Sequence, residues 1–188
     1  MCHQCTGARA CACTTHRAPS YEIHAIQERV WHLRVVATRL VVMRHAESSL
    51  DYPGLPDHDR PLNATGQHEA PRIAQALANR GWVPQLILVS SSRRTIETLE
   101  GLYPVIDDAK IEIRSEIYHA GLSSLSNQLE DLIEDGTTMI LGHNPGSEVL
   151  VNYLTGEWEV MPPAAAALIE NDGQKWDLIE VLRSKELS

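Results

Sequence analysis

No apolar run in these 188 residues approaches the roughly 20 that a membrane-crossing helix needs, so nothing in the sequence asks for a membrane. Cysteine is missing from everything after residue 13, which leaves no disulfide framework to staple the body of the chain. A Walker loop and a G-x-G-x-x-G turn are both absent, and with them the two glycine-rich signatures of nucleotide binding. There is no dense set of carboxylates of the kind that holds catalytic magnesium. Positive charge is also scarce: 16 Lys and Arg face 25 Asp and Glu, a net charge of -9. A general nucleic-acid binder draws most of its affinity from cations on phosphates, so that class is excluded. Any phosphate recognised by this chain must be met by a local cluster of cations.

What is present divides at about residue 38. Residues 1–20 hold all four cysteines (Cys2, Cys5, Cys11, Cys13), with His3 and His16, and no Asp or Glu occurs before Glu22. The cysteine spacing is a poor match to structural zinc sites. The lack of acid resembles an organelle leader, without the apolar core of a secretory signal. Ile23, Ile26, Val30 and Leu33 follow a helical period, so residues 1–38 read as an N-terminal extension, a flexible leader with a helix over 21–38. The body, 39–188, is one domain of ordinary size.

In the body two periodicities alternate. Short branched apolar runs at Leu40–Met43, Leu86–Val89, Ile111–Ile113 and Met139–Leu141 read as buried parallel strands. Between them, 66–81, 93–104 and 122–136 carry helical stripes, the first interrupted by Pro71. Two further strands flank Asn171-Asp172-Gly173. This order implies an α/β, three-layer architecture, a mostly parallel sheet with helices on both faces.

Open sheets of this kind bind ligands beyond the carboxyl ends of their strands. The first strand ends in Arg44-His45, the second leads into Arg93 and Arg94, the third ends near Glu116, and the fourth ends in His143. A single charged strand end is commonplace; four of them bring two histidines, at least two arginines and a carboxylate to one sheet edge.

The stretches "LVVMRHAES", "DRPLNATGQHEA", "LILVSSSRRTIETL" and "MILGHNPG" resemble the histidine phosphatase superfamily, which has the phosphoglycerate-mutase-like fold, and within it the SixA-like phosphohistidine phosphatases. The resemblance spans about residues 39–182. It implies that His45 is the nucleophile, that Arg44 and Arg94 bind the phosphoryl group, and that His143 assists. It also implies a place for Arg60 at the phosphate or in an ion pair with Asp57 or Asp59, and for Glu116 as the proton donor. Ala46 stands where the family usually has glycine, and Ser91 where it has proline. Glu47 either orients the site or fixes its own turn.

The chemistry suits these residue types. An arginine presents a planar fork of donors to phosphoryl oxygens, and His143 adds another donor if protonated. A histidine attacking phosphorus in line splits the hydrolysis into two easier steps. The scheme implies no metal and no cofactor. The absence of large insertions between Glu116 and Gly136 implies an open site and a phosphorylated protein as partner, with the loop over 48–59 as the element that selects it. The alternatives are a small phosphate ester as substrate, or a phosphate-binding module without turnover.

Overall fold

The computed structural model describes residues 37–187. The cysteine and histidine cluster lies outside the described residues, as does all but the end of the helix expected over 21–38; Thr38 already belongs to a strand. The four apolar runs form β1 (Thr38–Arg44), β2 (Leu86–Ser90), β3 (Lys110–Arg114) and β4 (Thr137–Gly142). The tail forms the expected pair, β5 (Ala166–Asn171) and β6 (Trp176–Leu182). Gly173, at a φ of 91°, closes the hairpin, and the Asn171 and Asp172 side chains accept the amides of the turn.

The six strands make one sheet in the order β3-β2-β4-β1-β5-β6. The first four are parallel, and β5 and β6 add an antiparallel edge. Because side chains alternate along a strand, Val41, Met43, Ile87, Val89, Met139 and Leu141 face one side. There they meet Ile73 and Leu77 of α1 (Ala64–Asn79) and Leu99 and Leu102 of α2 (Arg93–Leu102). Leu40, Val42, Leu86, Leu88 and Ile140 face the other side. They meet Leu125 of α3 (Leu122–Asn127) and Leu150 and Val151 of α4 (Gly146–Thr155). Each fully buried side chain of this size stabilises by about 1.5–3 kcal/mol relative to exposure, which makes the two helical layers obligatory.

β3, expected as a buried strand, lies at the end of the sheet with Ile111 and Ile113 38% and 62% exposed; three other local features differ from the sequence pattern. Pro71 neither ends nor begins α1; it sits in mid-helix on the exposed face, where water can satisfy the carbonyl that its ring leaves free. The expected helix over 122–136 stops after six residues, passes through a 3-10 turn (Gln128–Asp131) and becomes extended at Leu132. Serine and asparagine there compete for the backbone, as Ser126 does by donating to the Ser123 carbonyl, and Glu130 and Asp131 oppose the dipole at a helix end. The third is α4, a segment the sequence pattern leaves unassigned, which is closed by Gly156 in the left-handed conformation.

Candidate active site

β1 and β4 are neighbours in register, Arg44 opposite Gly142, so both chains leave the sheet at the same point. The His45 amide donates to the Gly142 carbonyl at 3.0 Å, which seats the turn after β1 against the turn after β4. The imidazoles of His45 and His143 then stand 5.1 Å apart, centroid to centroid. The first turn of α1 locks the loop from behind. Asn63 caps the helix, its side chain accepting from Gly66 and donating to Glu47 at 2.7 Å. A Cβ on Gly66 would stand 2.3 Å from the Glu47 carbonyl oxygen, so only glycine lets the helix lie this close. Glu47 thus fixes its own turn.

His45 is buried, and its tautomer follows from its neighbours. Nδ1 lies 2.7 Å from the Ala46 carbonyl, which can only accept, so Nδ1 carries the proton. Nε2 then presents its lone pair and accepts from Arg94 Nε at 3.2 Å. Burial lowers the His45 pKa to about 4, and Arg94, Arg44 and Arg60 push the same way against the Ala46 hydrogen bond. A neutral imidazole whose Nε2 carries no proton is the form a nucleophile requires. The Ala46 amide donates to Thr98 Oγ1 at 3.0 Å, which ties this turn to α2.

Arg93 and Arg94 are consecutive in a helix and so point about 100° apart. Arg93 turns outward to pair with Glu97, whereas Arg94 turns inward and is 3% exposed. Its guanidinium also donates from Nη1 to the Asp57 carbonyl at 2.5 Å and from Nη2 to Asp57 Oδ2 at 2.9 Å. His143 accepts at Nδ1 from Arg94 Nη2 at 3.4 Å and donates from Nε2 to Ser90 Oγ, at the end of β2, at 2.8 Å. Burial, then His45 and Arg94, lower the His143 pKa to about 3, so as folded it is neutral and does not offer a second acidic proton. Arg44 donates from Nη1 to the Met161 carbonyl at 2.9 Å, but its buried Nε has no partner among the described residues.

The structure therefore brings Arg44, His45, Arg94 and His143 together. Arg60 stands beside them, held by Asp57 (2.8 Å), the Ser49 carbonyl (3.2 Å) and Ser48. Glu116 is not brought in. It is exposed, its carboxylate accepts from Ser115 and takes no hydrogen bond from any other side chain among the described residues, and its own backbone amide and that serine lower its pKa. The 3-10 turn Ser115–Ile117 carries the chain past Glu116 and delivers the next two side chains to the site instead. Tyr118 donates to Asp57 Oδ2 at 2.8 Å, and His119 Nε2 lies 3.2 Å from the same oxygen. Asp57 is thus the hub of Arg60, Arg94, Tyr118 and His119. Burial pulls its carboxyl upward, but Tyr118, Arg94 and Arg60 outweigh that and hold it well below the usual carboxylate range.

The family model for the histidine phosphatase superfamily (branch 1) matches residues 40–135, the stretch that supplies Arg44, His45, Asp57 and Arg94. The chain belongs to the histidine phosphatase superfamily. An uncharacterised chloroplastic protein of Arabidopsis thaliana is 35% identical to this histidine phosphatase over 153 residues, covering 76% of this chain and 70% of its own. A solved structure of SixA from Agrobacterium tumefaciens matches with a TM-score of 0.71 at 30% identity, over 78% of this chain and 97% of that one. A structure of the protein histidine phosphatase SixA with tungstate matches at a TM-score of 0.68 over 80% and 99%; at 22% identity it speaks for the fold alone. The three-layer fold of this histidine phosphatase is therefore the phosphoglycerate-mutase-like one, and phosphatase activity goes with the family.

The sequence pattern missed Tyr118 and His119, and it offers Asp57 only as an ion-pair partner for Arg60, a pair the structure contains, and not as the hub of the site. Asp57 lies within the 48–59 loop and is marked only by its i, i+3 spacing to Arg60. "EIYHAG" was in view as a strand end, but with the emphasis on Glu116 rather than on the two aromatics after it.

Proposed function

We propose that this histidine phosphatase removes the phosphoryl group from phosphohistidine in a protein, through a phosphohistidine formed on its own His45 and without a metal ion. The observation that carries the chemistry is that Arg44 Nε, buried and without a partner among the described residues, shares the site with an unprotonated His45 Nε2 that only accepts, from Arg94 Nε at 3.2 Å. An unmet buried donor is costly, and a phosphoryl oxygen is the acceptor that would satisfy it as the phosphorus comes to Nε2. Arg44 and Arg94 together offset the dianion's charge as it is attacked. His143, with Ser90 behind it, lines the same space, and Arg60 adds positive charge at its edge.

A protein substrate is supported by what surrounds the site. The segment after Glu116 is one six-residue helix and a 3-10 turn, with no insertion to wall the phosphate in. The 48–59 loop presents Leu50, Tyr52 and Leu55, 79%, 59% and 37% exposed, as contacts for a partner surface. The Agrobacterium tumefaciens relative described as a phosphohistidine phosphatase supports the same substrate. The deciding experiment measures release from a phosphohistidine protein and a phosphoserine peptide on one preparation, with and without EDTA. Label from the substrate is trapped on wild type and on His45→Ala. Preference for phosphohistidine, insensitivity to EDTA and alkali-stable, acid-labile label that His45→Ala lacks are expected. Efficient cleavage of sugar phosphates with no action on phosphohistidine would overturn the substrate, and label on a serine would overturn the intermediate.

A further inference from the structure

His119 combines three features that a bystander on the rim has no need of. Its backbone is left-handed, φ 50°, a conformation uncommon for a residue with a side chain and concentrated at functional sites. Its ring stacks on Tyr118 with centroids 4.3 Å apart and meets the His143 ring edge-on at 5.6 Å, so two aromatic neighbours fix its plane. Its Nε2 lies 3.2 Å from Asp57 Oδ2 and 3.4 Å from Arg94 Nη2. The charged and titratable groups facing it are therefore Asp57 from the 3-10 turn Asp57–Asp59, Arg94 from α2, His143 from the turn after β4, and Tyr118 beside it. Of these Asp57 is the only anion, and it is the carboxylate that Tyr118 and the arginines keep ionised. An ionised carboxylate cannot donate a proton, but it can stabilise an imidazolium that does. His45, whose lone pair attacks, needs a partner on the opposite side of phosphorus, toward solvent. His119, with 59% of its side chain exposed, occupies the rim and not the floor.

We propose that His119 is the proton donor to the leaving group, with Asp57 as its positioning residue. As His45 Nε2 forms the bond to phosphorus, the bond from phosphorus to the leaving atom breaks, its electron pair stays on that atom, and the His119 imidazolium gives it a proton. Neutral His119 remains beside Asp57. In the second step water attacks phosphorus and passes a proton to His119, the P–N bond returns its pair to His45 Nε2, and the starting charges are restored. Exposure at the rim also suits a leaving group that is itself an imidazole on a protein surface.

This inference rests on His45 as the nucleophile. The test compares wild type, His119→Asn and Glu116→Gln on 4-nitrophenyl phosphate, whose leaving group needs little help, and on O-phosphoserine, whose alkoxide needs a proton. Asparagine is chosen because it tolerates a positive φ and cannot act as the acid. General acids contribute about 10²–10⁴-fold where they are needed. The expected result is a loss of a hundredfold or more in kcat for His119→Asn on O-phosphoserine, less than threefold on 4-nitrophenyl phosphate, and no leaving-group dependence for Glu116→Gln. Equal losses on both substrates, or no loss on either, would overturn the role of His119, as would a leaving-group effect confined to Glu116→Gln. Label still trapped on His45 of His119→Asn would show that the nucleophile reading survives that failure; no label on wild type would show that both fall.

Discussion

Keeping His45 neutral makes the fold sensitive to mild acid. In the unfolded chain this imidazole takes up a proton near its ordinary 6.5; in the folded protein it does so only at about 4, chiefly because it is buried. Between those two values the unfolded chain binds a proton that the folded one refuses. Stability is therefore unaffected above about pH 6.5, falls as pH is lowered toward 4, and levels off below. With a tenfold change in proton affinity equivalent to about 1.4 kcal/mol, His45 accounts for roughly 3 kcal/mol across that window, against a total of about 5–15 kcal/mol for an ordinary domain. His143, lowered to about 3, acts with the same sign, but a proton on His45 is one of its own causes, so the two do not titrate independently. Asp57 does not blur the window. Its folded pKa is depressed, so its contribution is intact above the ordinary carboxylate range and is lost only at lower pH.

The perturbation that isolates His45 is His45→Asn, because the asparagine amide can still donate to the Ala46 carbonyl while carrying no titratable group. Urea unfolding of both proteins at half-unit steps from pH 7 to pH 4 is the assay, with the free energy taken by linear extrapolation. Wild type should lose about 1–3 kcal/mol more than the variant over that range, while the two curves run parallel above pH 6.5. Parallel curves throughout would refute the neutral, buried histidine and with it the lone pair assigned to Nε2.

Two further outcomes are expected. Gly66→Ala places a Cβ 2.3 Å from the Glu47 carbonyl oxygen, so the first turn of α1 must withdraw from the His45 loop; a loss of about 1–3 kcal/mol in urea unfolding should accompany a fall in kcat/KM, and an unchanged rate would show that the loop holds itself. Deleting residues 1–20 should leave both the unfolding curve and phosphatase activity unaltered, since β1 begins at Thr38 and every site residue follows it; zinc bound stoichiometrically by the full chain and not by the truncation would assign the cysteines a structural role instead.

The half of the site that was legible in the sequence is the half carried by the sheet. A buried parallel strand writes itself as an unbroken apolar run, so the charged residue that ends it is conspicuous, and parallel strands put all such ends on one edge. Arg44, His45, Arg94 and His143 could be read in this way, and α2 decides between Arg93 and Arg94 by a single 100° step. The helices were legible where an apolar stripe spans several turns, as with Ile73 and Leu77, and not where serine and asparagine compete for the backbone, as after Leu122.

The other half has no period to betray it. Asp57 and His119 lie 62 positions apart, one in a 3-10 turn and one at a left-handed residue, yet they meet directly at 3.2 Å, with Arg94 and Tyr118 on the same carboxylate oxygen. That arrangement suits the proposed mechanism. A guanidinium must be aimed before the phosphoryl group arrives if it is to stabilise charge without reorganising, and Asp57, gripping Arg94 through both its carbonyl and its carboxylate, does the aiming. Arg44 is left differently, with one donor on Met161 and its buried Nε without a partner among the described residues. In the proposed mechanism the two arginines thus divide the work: Arg94 is fixed in advance beside His45, and Arg44 keeps a donor for the arriving phosphoryl oxygen.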